Sequence, residues 1–347
     1  MKKLGWILLG LAVSLASPVF ASGPEYMRQE NFDNCGAEGV PPDVQIESCT
    51  KALAFDSIVD GKVPAWILVS RGAAYMKKHQ NDLAIQDFDK AIAAGPNYAA
   101  YANRGIAYYY KGNYTAAVAD LTQAVSLDAT GAAAFRMRGR AYGALGKLDL
   151  AVQDMSQAIK LDPAQDALYL ERARLFFQLD KDREALSDLE GALKLAPHSV
   201  EALYLRGEVH SDMEQYEEAV ADFTAVLALS PYARNALNAR CWARAVQNVD
   251  LDNALVDCNA AIKLDPRGAN NIDSRGFVYF RKNDFANALA DYNAALAIDP
   301  ALVASLYMRG VTKLKMGDVQ SGKKDIATAE LADPKVAERY AGYGVTP

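Results

Sequence analysis

Four cysteines, three histidines and a recurring arginine–aspartate pairing are the residues of this 347-residue chain whose types and spacing could do chemistry. Cys35, Cys49, Cys241 and Cys258 include no Cys-x-x-Cys, which argues against a redox dithiol. In an oxidising compartment four cysteines suit two disulfides, with three connectivities open to the sequence alone; in a reducing one they are small buried hydrophobes. His79 lies beside Asn81 and Asp82, His198 follows Pro197, and His210 stands at an apolar-pattern position. His79 is 119 residues from the next histidine, so a shared metal site would need distant segments to converge, and no metal site is expected. There is no Gly-rich phosphate loop, no His-x-x-x-His and no Gly-x-Ser-x-Gly elbow. These residues assign no catalytic group and no cofactor, and the expectation is a protein that is not an enzyme.

The arginines and aspartates are more regular. Sixteen residues separate Arg71 from Asp87, Arg104 from Asp120, Arg138 from Asp154, Arg172 from Asp188, Arg206 from Asp222, Arg275 from Asp291 and Arg309 from Asp325. Arg240 and Asp257 are 17 apart, the extra residue falling in Gln247-Asn248-Val249-Asp250. A guanidinium matches a carboxylate through two parallel hydrogen bonds. A ligand site has no use for eight copies, so the expected role is an ion pair that ties two helices together.

The elements that must position these pairs recur with them. Each arginine is followed by a small residue, usually glycine, and the pair repeats in steps of 33 to 35 residues; a breaker closes most copies, as at Asp162-Pro163 and Asp299-Pro300. Inside the third copy, Phe135, Gly139 and Tyr142 share one helical face, as do Ala151, Met155 and Ala158 on a second segment after the turn Leu145–Asp149. Small residues let the two backbones approach and Pro163 stops the second helix, so the unit is a helical hairpin.

This pattern resembles the tetratricopeptide repeat from Ala65 to about Val336. The resemblance implies an all-α, right-handed α-solenoid of eight hairpins, at 65–97, 98–131, 132–165, 166–199, 200–233, 234–268, 269–302 and 303–336. An N-terminal cap or degenerate half-repeat (22–64) would precede them and a closing helix and tail (337–347) follow. Departures are Ala173 and Cys241 in the glycine place, His210 and Arg244 in the tyrosine place, Gly322 for an alanine, Ala129 for the proline, and Lys313 in a worn last copy. In this register Cys241 and Cys258 take facing places within one hairpin, which favours that pair and leaves Cys35 with Cys49. The layout is similar to exported bacterial members of the family.

In that family the first helices line a groove that receives a peptide or another protein's helix, which implies a non-catalytic scaffold here. The positions expected to face the groove include Tyr109, Tyr110, Phe177, Trp242, Phe277 and Phe280, with Arg136, Arg140 and Arg174 as basic members suited to a carboxylate. Inter-repeat core is the competing role for the aromatics, and pairing of Arg174 with Glu208 the competing role for the arginines. The Lys and Asn clamp of some family members is not recognisable. Scaffolding in bacterial envelope assembly or maintenance, a holdase, and an enzyme with an unrecognised site remain the alternatives.

Composition bounds the partner and the compartment. A net charge of −6 and a pI near 5.3 lack the basic footprint that neutralises phosphates, so nucleic acid is not an expected partner. Lys2 and Lys3, the apolar run Leu4–Leu15, Pro18 and Val19-Phe20-Ala21 read as a secretory leader over 1–21, too short to span a bilayer. The expectation is an exported, periplasmic protein without stable membrane insertion.

Overall fold

Each period folds into two helices because its apolar residues recur at helical spacing and its turn residues interrupt them. The computed structural model describes residues 24–56 and 64–347, and every regular element among them is a helix. The first part holds α1 (Pro24–Gly36), α2 (Pro42–Asp56), α3 (Ala65–Lys77), α4 (Asn81–Ala93), α5 (Tyr98–Tyr110), α6 (Tyr114–Leu127) and α7 (Ala132–Ala144). The second holds α8 (Leu148–Leu161), α9 (Asp166–Gln178), α10 (Asp182–Leu195), α11 (Val200–Asp212), α12 (Tyr216–Leu229), α13 (Arg234–Gln247) and α14 (Leu251–Leu264). It continues with α15 (Ala269–Arg281), α16 (Phe285–Ile298), α17 (Val303–Lys315), α18 (Val319–Ala332) and the short α19 (Val336–Gly342). The chain divides into two units, residues 1–145 and 146–347. The expected leader, residues 1–21, lies outside the described residues.

Within each unit every helix packs on its neighbours in sequence, and the odd-numbered helices also touch one another in a row. That row makes α1, α3, α5 and α7 the inner side of the first unit, and α9, α11, α13, α15 and α17 that of the second. The contacts are close because the crossing points carry alanine or glycine: Ala117, Ala151, Ala185 and Ala219 are fully buried. At Gly207 a Cβ would come 2.6 Å from the Phe223 ring. Where Cys241 replaces that glycine, Cys258 replaces the facing ring, and the two are joined as a disulfide with Cα atoms 5.6 Å apart.

The N-terminal segment, expected as a cap or degenerate half-repeat, is a hairpin with α1 packed against α2. Cys35 and Cys49 join the two helices, and both are fully buried beside Ala52 and Ile67. Helix α2 then serves as the preceding second helix for α3.

Candidate functional site

The recurring arginines sit on the first helices and reach the aspartates of the second. Arg71 donates from Nε and Nη2 to the two oxygens of Asp87, both at 2.8 Å. The same bidentate fork joins Arg104 to Asp120, Arg172 to Asp188, Arg206 to Asp222, Arg275 to Asp291 and Arg309 to Asp325, at 2.6 to 3.0 Å. Arg240 reaches Asp257 in the same way although the intervening turn is one residue longer. Asn248 and Asp250 absorb that residue with left-handed backbones, at φ 57° and 49°. Arg138 lies in the first unit and Asp154 in the second.

The arginine has a second duty that the sequence reading missed. Its remaining nitrogen turns to the preceding hairpin: Arg71 to Thr50 at 3.0 Å, Arg104 to Asp89 at 2.6 Å, Arg172 to Ser156 at 2.9 Å, Arg240 to Thr224 at 3.1 Å and Arg275 to Asn259 at 2.9 Å. Arg309 meets Asn293 at 3.2 Å. One side chain therefore fixes both the angle within a hairpin and the stacking of the next. The signal was present as an oxygen-bearing residue two places after each aspartate. In the last hairpin that place is Ala327.

The residue four after the arginine completes the setting. Tyr108, Phe176 and Tyr279 lie 5.6 to 5.9 Å from the guanidinium carbons and shield them. Where the aromatic is replaced, a base turns to the same aspartate: Arg244 binds Asp257 at 2.6 Å and Lys313 binds Asp325 at 2.7 Å. Lys313 is thus a substitute cation in a copy whose sequence looks worn. Burial pushes the Asp325 carboxyl up, but Arg309 and Lys313 outweigh it and hold the group below the usual carboxylate range.

The residues expected to face a partner fall into separate settings. In the first unit Tyr109 packs edge-on to Tyr110 at 5.8 Å and against Tyr114 at 5.4 Å, with Tyr110 exposed at the end of α5. Arg136 and Arg140 lie one turn apart on α7, both half-buried. In the second unit Arg174 pairs with Glu201 of the next first helix and also faces Glu208, while Phe177 is half-buried at the edge of the core. Burial pushes the Glu208 carboxyl up, opposed by the hydroxyl of Tyr204, which donates to it.

Trp242 and Phe277 meet the chain's own C-terminal segment, and Phe280 packs beside them on Phe277 and Phe285. Phe277 is fully buried and Phe280 nearly so; Trp242 packs tilted against Phe277 with centroids 5.0 Å apart. Helix α19 crosses this face and lays Tyr340 on Tyr307 at 5.3 Å and edge-on to Phe277 at 5.8 Å. Tyr343 then meets Trp242 edge-on at 5.9 Å. Together α19 and Tyr343 therefore lie over three first helices, so a partner reaches Trp242 and Phe277 only where that segment has left.

Beneath α19, Asp273 is buried in α15 and accepts a hydrogen bond from the Ser305 hydroxyl. Burial pushes its carboxyl up to about 6; the Ser305 bond opposes this, and Asp291, itself held by Arg275, adds to it. Tyr292 and Tyr340 are the other ionisable groups facing it. A raised carboxylate pKa means that the folded chain holds a proton the unfolded chain has released, so stability falls as pH rises from about 4 to about 6 and stays lower above that. The gap from 3.8 to about 6 amounts to on the order of 3 kcal/mol. Asp273→Asn, whose amide oxygen still accepts from Ser305, should flatten this fall when urea unfolding is compared at pH 5 and pH 7.5.

Beside the covered face the inner row is open. A cavity of about 670 Å³ lies where α11 and α13 begin, lined by Val200, Tyr204, Val226, Ala233, Ala236 and Leu264. A polar cavity of about 260 Å³ adjoins it through Tyr204, Arg234 and Asn235, and continues to Asn238, Asn270 and Asn271. The sequence reading missed Tyr204 because it is a half-buried ring among many. Among the described residues no cluster of His, Cys, Asp and Glu could hold a metal ion, and no helix is long and apolar enough to cross a membrane.

Family models for the tetratricopeptide repeat match residues 70–134, 133–165, 170–234 and 276–317, between them more than half of the chain. The chain belongs to the tetratricopeptide repeat family. A 98-residue stretch is 33% identical to the human Superkiller complex protein 3; it covers 27% of this chain and only 6% of that protein. Among solved structures, the C-terminal part of a tetratricopeptide repeat protein from Cytophaga hutchinsonii is similar with a TM-score of 0.58 at 21% identity, covering 69% of this chain and 98% of that one. A repeat protein from Parabacteroides merdae gives 0.52 at 19% identity, covering 72% and 98%. Pseudomonas aeruginosa pilF gives 0.52 at 15% identity, covering 60% and 94%. At these identities the tetratricopeptide fold is what the solved structures share with this chain.

Proposed function

We propose that this tetratricopeptide protein is a non-catalytic scaffold that binds a protein or peptide along the inner row of first helices, in an exported, periplasm-like setting of envelope assembly or maintenance. The observation that carries the reading is the open inner face at α11 and α13, where the cavity beside Tyr204 can take an apolar side chain and the adjoining asparagines can hydrogen-bond a main chain. Aromatic and arginine side chains supply most of the energy at such surfaces, and Tyr204, Tyr110 and Arg140 are of those types. Export is supported by the leader-like residues 1–21 and by two buried disulfides, which persist in oxidising compartments.

The test is co-purification from the native envelope fraction. The unsubstituted chain should bring down one or a few polypeptides, and Tyr204→Ala or Arg140→Glu should reduce their yield at least tenfold with helicity and melting unchanged. Turnover of a small molecule by the purified chain alone would contradict the reading, as would equal suppression of aggregation across unrelated unfolded clients.

A further inference from the structure

We propose that the inner groove between α11 and α17 is a binding site for a polypeptide segment bearing two tyrosines three residues apart, and that the chain's own Val336–Val345 occupies it until such a segment displaces it. The inference rests on the scaffold reading and names the partner's chemistry. Its basis is the way the segment is held. Helix α19 has seven residues and no side-chain cap at its start, too little to be stable alone. It is fixed by side chains that reach far back in the sequence: Tyr340 onto Phe277 and Tyr307, Tyr343 onto Trp242, and the Tyr216 hydroxyl, which donates to that of Tyr343. Val336 and Val345 are buried, whereas Ala341, Gly342, Gly344, Thr346 and Pro347 are exposed.

The groove is organised by residues of its own. Arg281 donates to the carbonyls of Ala245 at 3.0 Å and Val246 at 3.2 Å and lies 4.9 Å from the Phe277 ring. With the guanidinium so placed, it also donates to the carbonyl of Tyr343, a main-chain group that any peptide offers. An aromatic floor with a fixed main-chain donor is a recognition site for peptide.

The experiment uses the full chain carrying Tyr340→Ser and Tyr343→Ser, and a fluorescein-labelled synthetic peptide with the sequence of residues 335–347. The expected result is peptide binding by the variant at least tenfold tighter than by the unsubstituted chain, while a peptide with both tyrosines replaced by serine binds neither. A folded variant that binds no peptide, or equal binding by both chains, would overturn the proposal. Should the variant fail to fold, hydrogen exchange of the unsubstituted chain decides: the amides of Gly344 and Val345 should exchange at least tenfold faster than the amides within α15 and α17, and equal rates overturn the idea. Loss of this result with co-purification through Tyr204 intact removes the resident segment and leaves the scaffold; the reverse pattern removes the scaffold reading.

Discussion

Asp257→Ala will lower the stability of the sixth hairpin by about 3–5 kcal/mol, the cost of breaking a buried ion pair by removing one partner. The site should fall at the upper end of that range. Asp257 accepts from both Arg240 and Arg244, whose side chains are only 16% and 14% exposed, so the substitution leaves two cations without their shared carboxylate. Arg240 also loses the orientation that lets it hold Thr224 of the preceding hairpin, and the damage should spread to the α12–α13 contact. Stability in stacked repeats is a sum of unit and nearest-neighbour terms, so the loss should be local. Native-state hydrogen exchange should show it in α12, α13 and α14 and leave α3 to α6 unchanged. Asp89→Ala is the contrast: it removes one half-exposed carboxylate from Arg104, which keeps its fork to Asp120.

Reducing the Cys241–Cys258 disulfide will cost about 3 kcal/mol in the same hairpin, the value expected in the chain-entropy model for a closed loop of this length. The two sulfurs stand where other copies place a glycine and the side chain facing it. Reduction leaves two thiols filling a crossing that a glycine and a larger apolar side chain fill in most other copies. The replacement of both cysteines by alanine should therefore destabilise more than reduction does, because it adds a cavity to the lost cross-link. Midpoints of urea unfolding followed by Trp242 fluorescence, with and without reductant, measure the first effect; the double alanine chain measures the second. The ion pair and the disulfide lie side by side at Asp257 and Cys258, and combining their removal should give a non-additive loss.

Most of the fold could be read from the sequence because it is written eight times. A single arginine sixteen residues before an aspartate says little, whereas a column of them at a constant period specifies a hairpin and its closing contact. The replacement of glycine and its facing side chain by Cys241 and Cys258 was legible for the same reason. The inter-hairpin contact at Thr50, Asp89, Ser156 and Asn293 was written in the same period but hidden by its chemistry, since threonine, aspartate, serine and asparagine share only an acceptor oxygen. Helix α1 was not foreseen: its residues are mostly polar and carry no apolar stripe, and Cys35 with its disulfide anchors it.

The candidate site was less legible. Trp242, Phe277 and Phe280 have the residue types of a binding surface, but nothing local reveals that Tyr343 and Tyr340 cover the first two. A seven-residue helix is too short for periodicity to show its buried face, and the ring partners of Tyr340 and Tyr343 on the first helices lie 33 to 101 residues back along the chain. Tyr204 carried no distinguishing mark until the cavity at the start of α11 and α13 set it apart.

Photo-crosslinking from single positions in the cell of origin tests the central claim most directly. A benzoylphenylalanine at Tyr204, on the inner first helix α11, should yield adducts with one or a few polypeptides, while the same group at Val256, 64% exposed on the second helix α14, should yield none. Adducts from Val256 and none from Tyr204 would contradict the account, because the occupied surface would then be the outer row of helices.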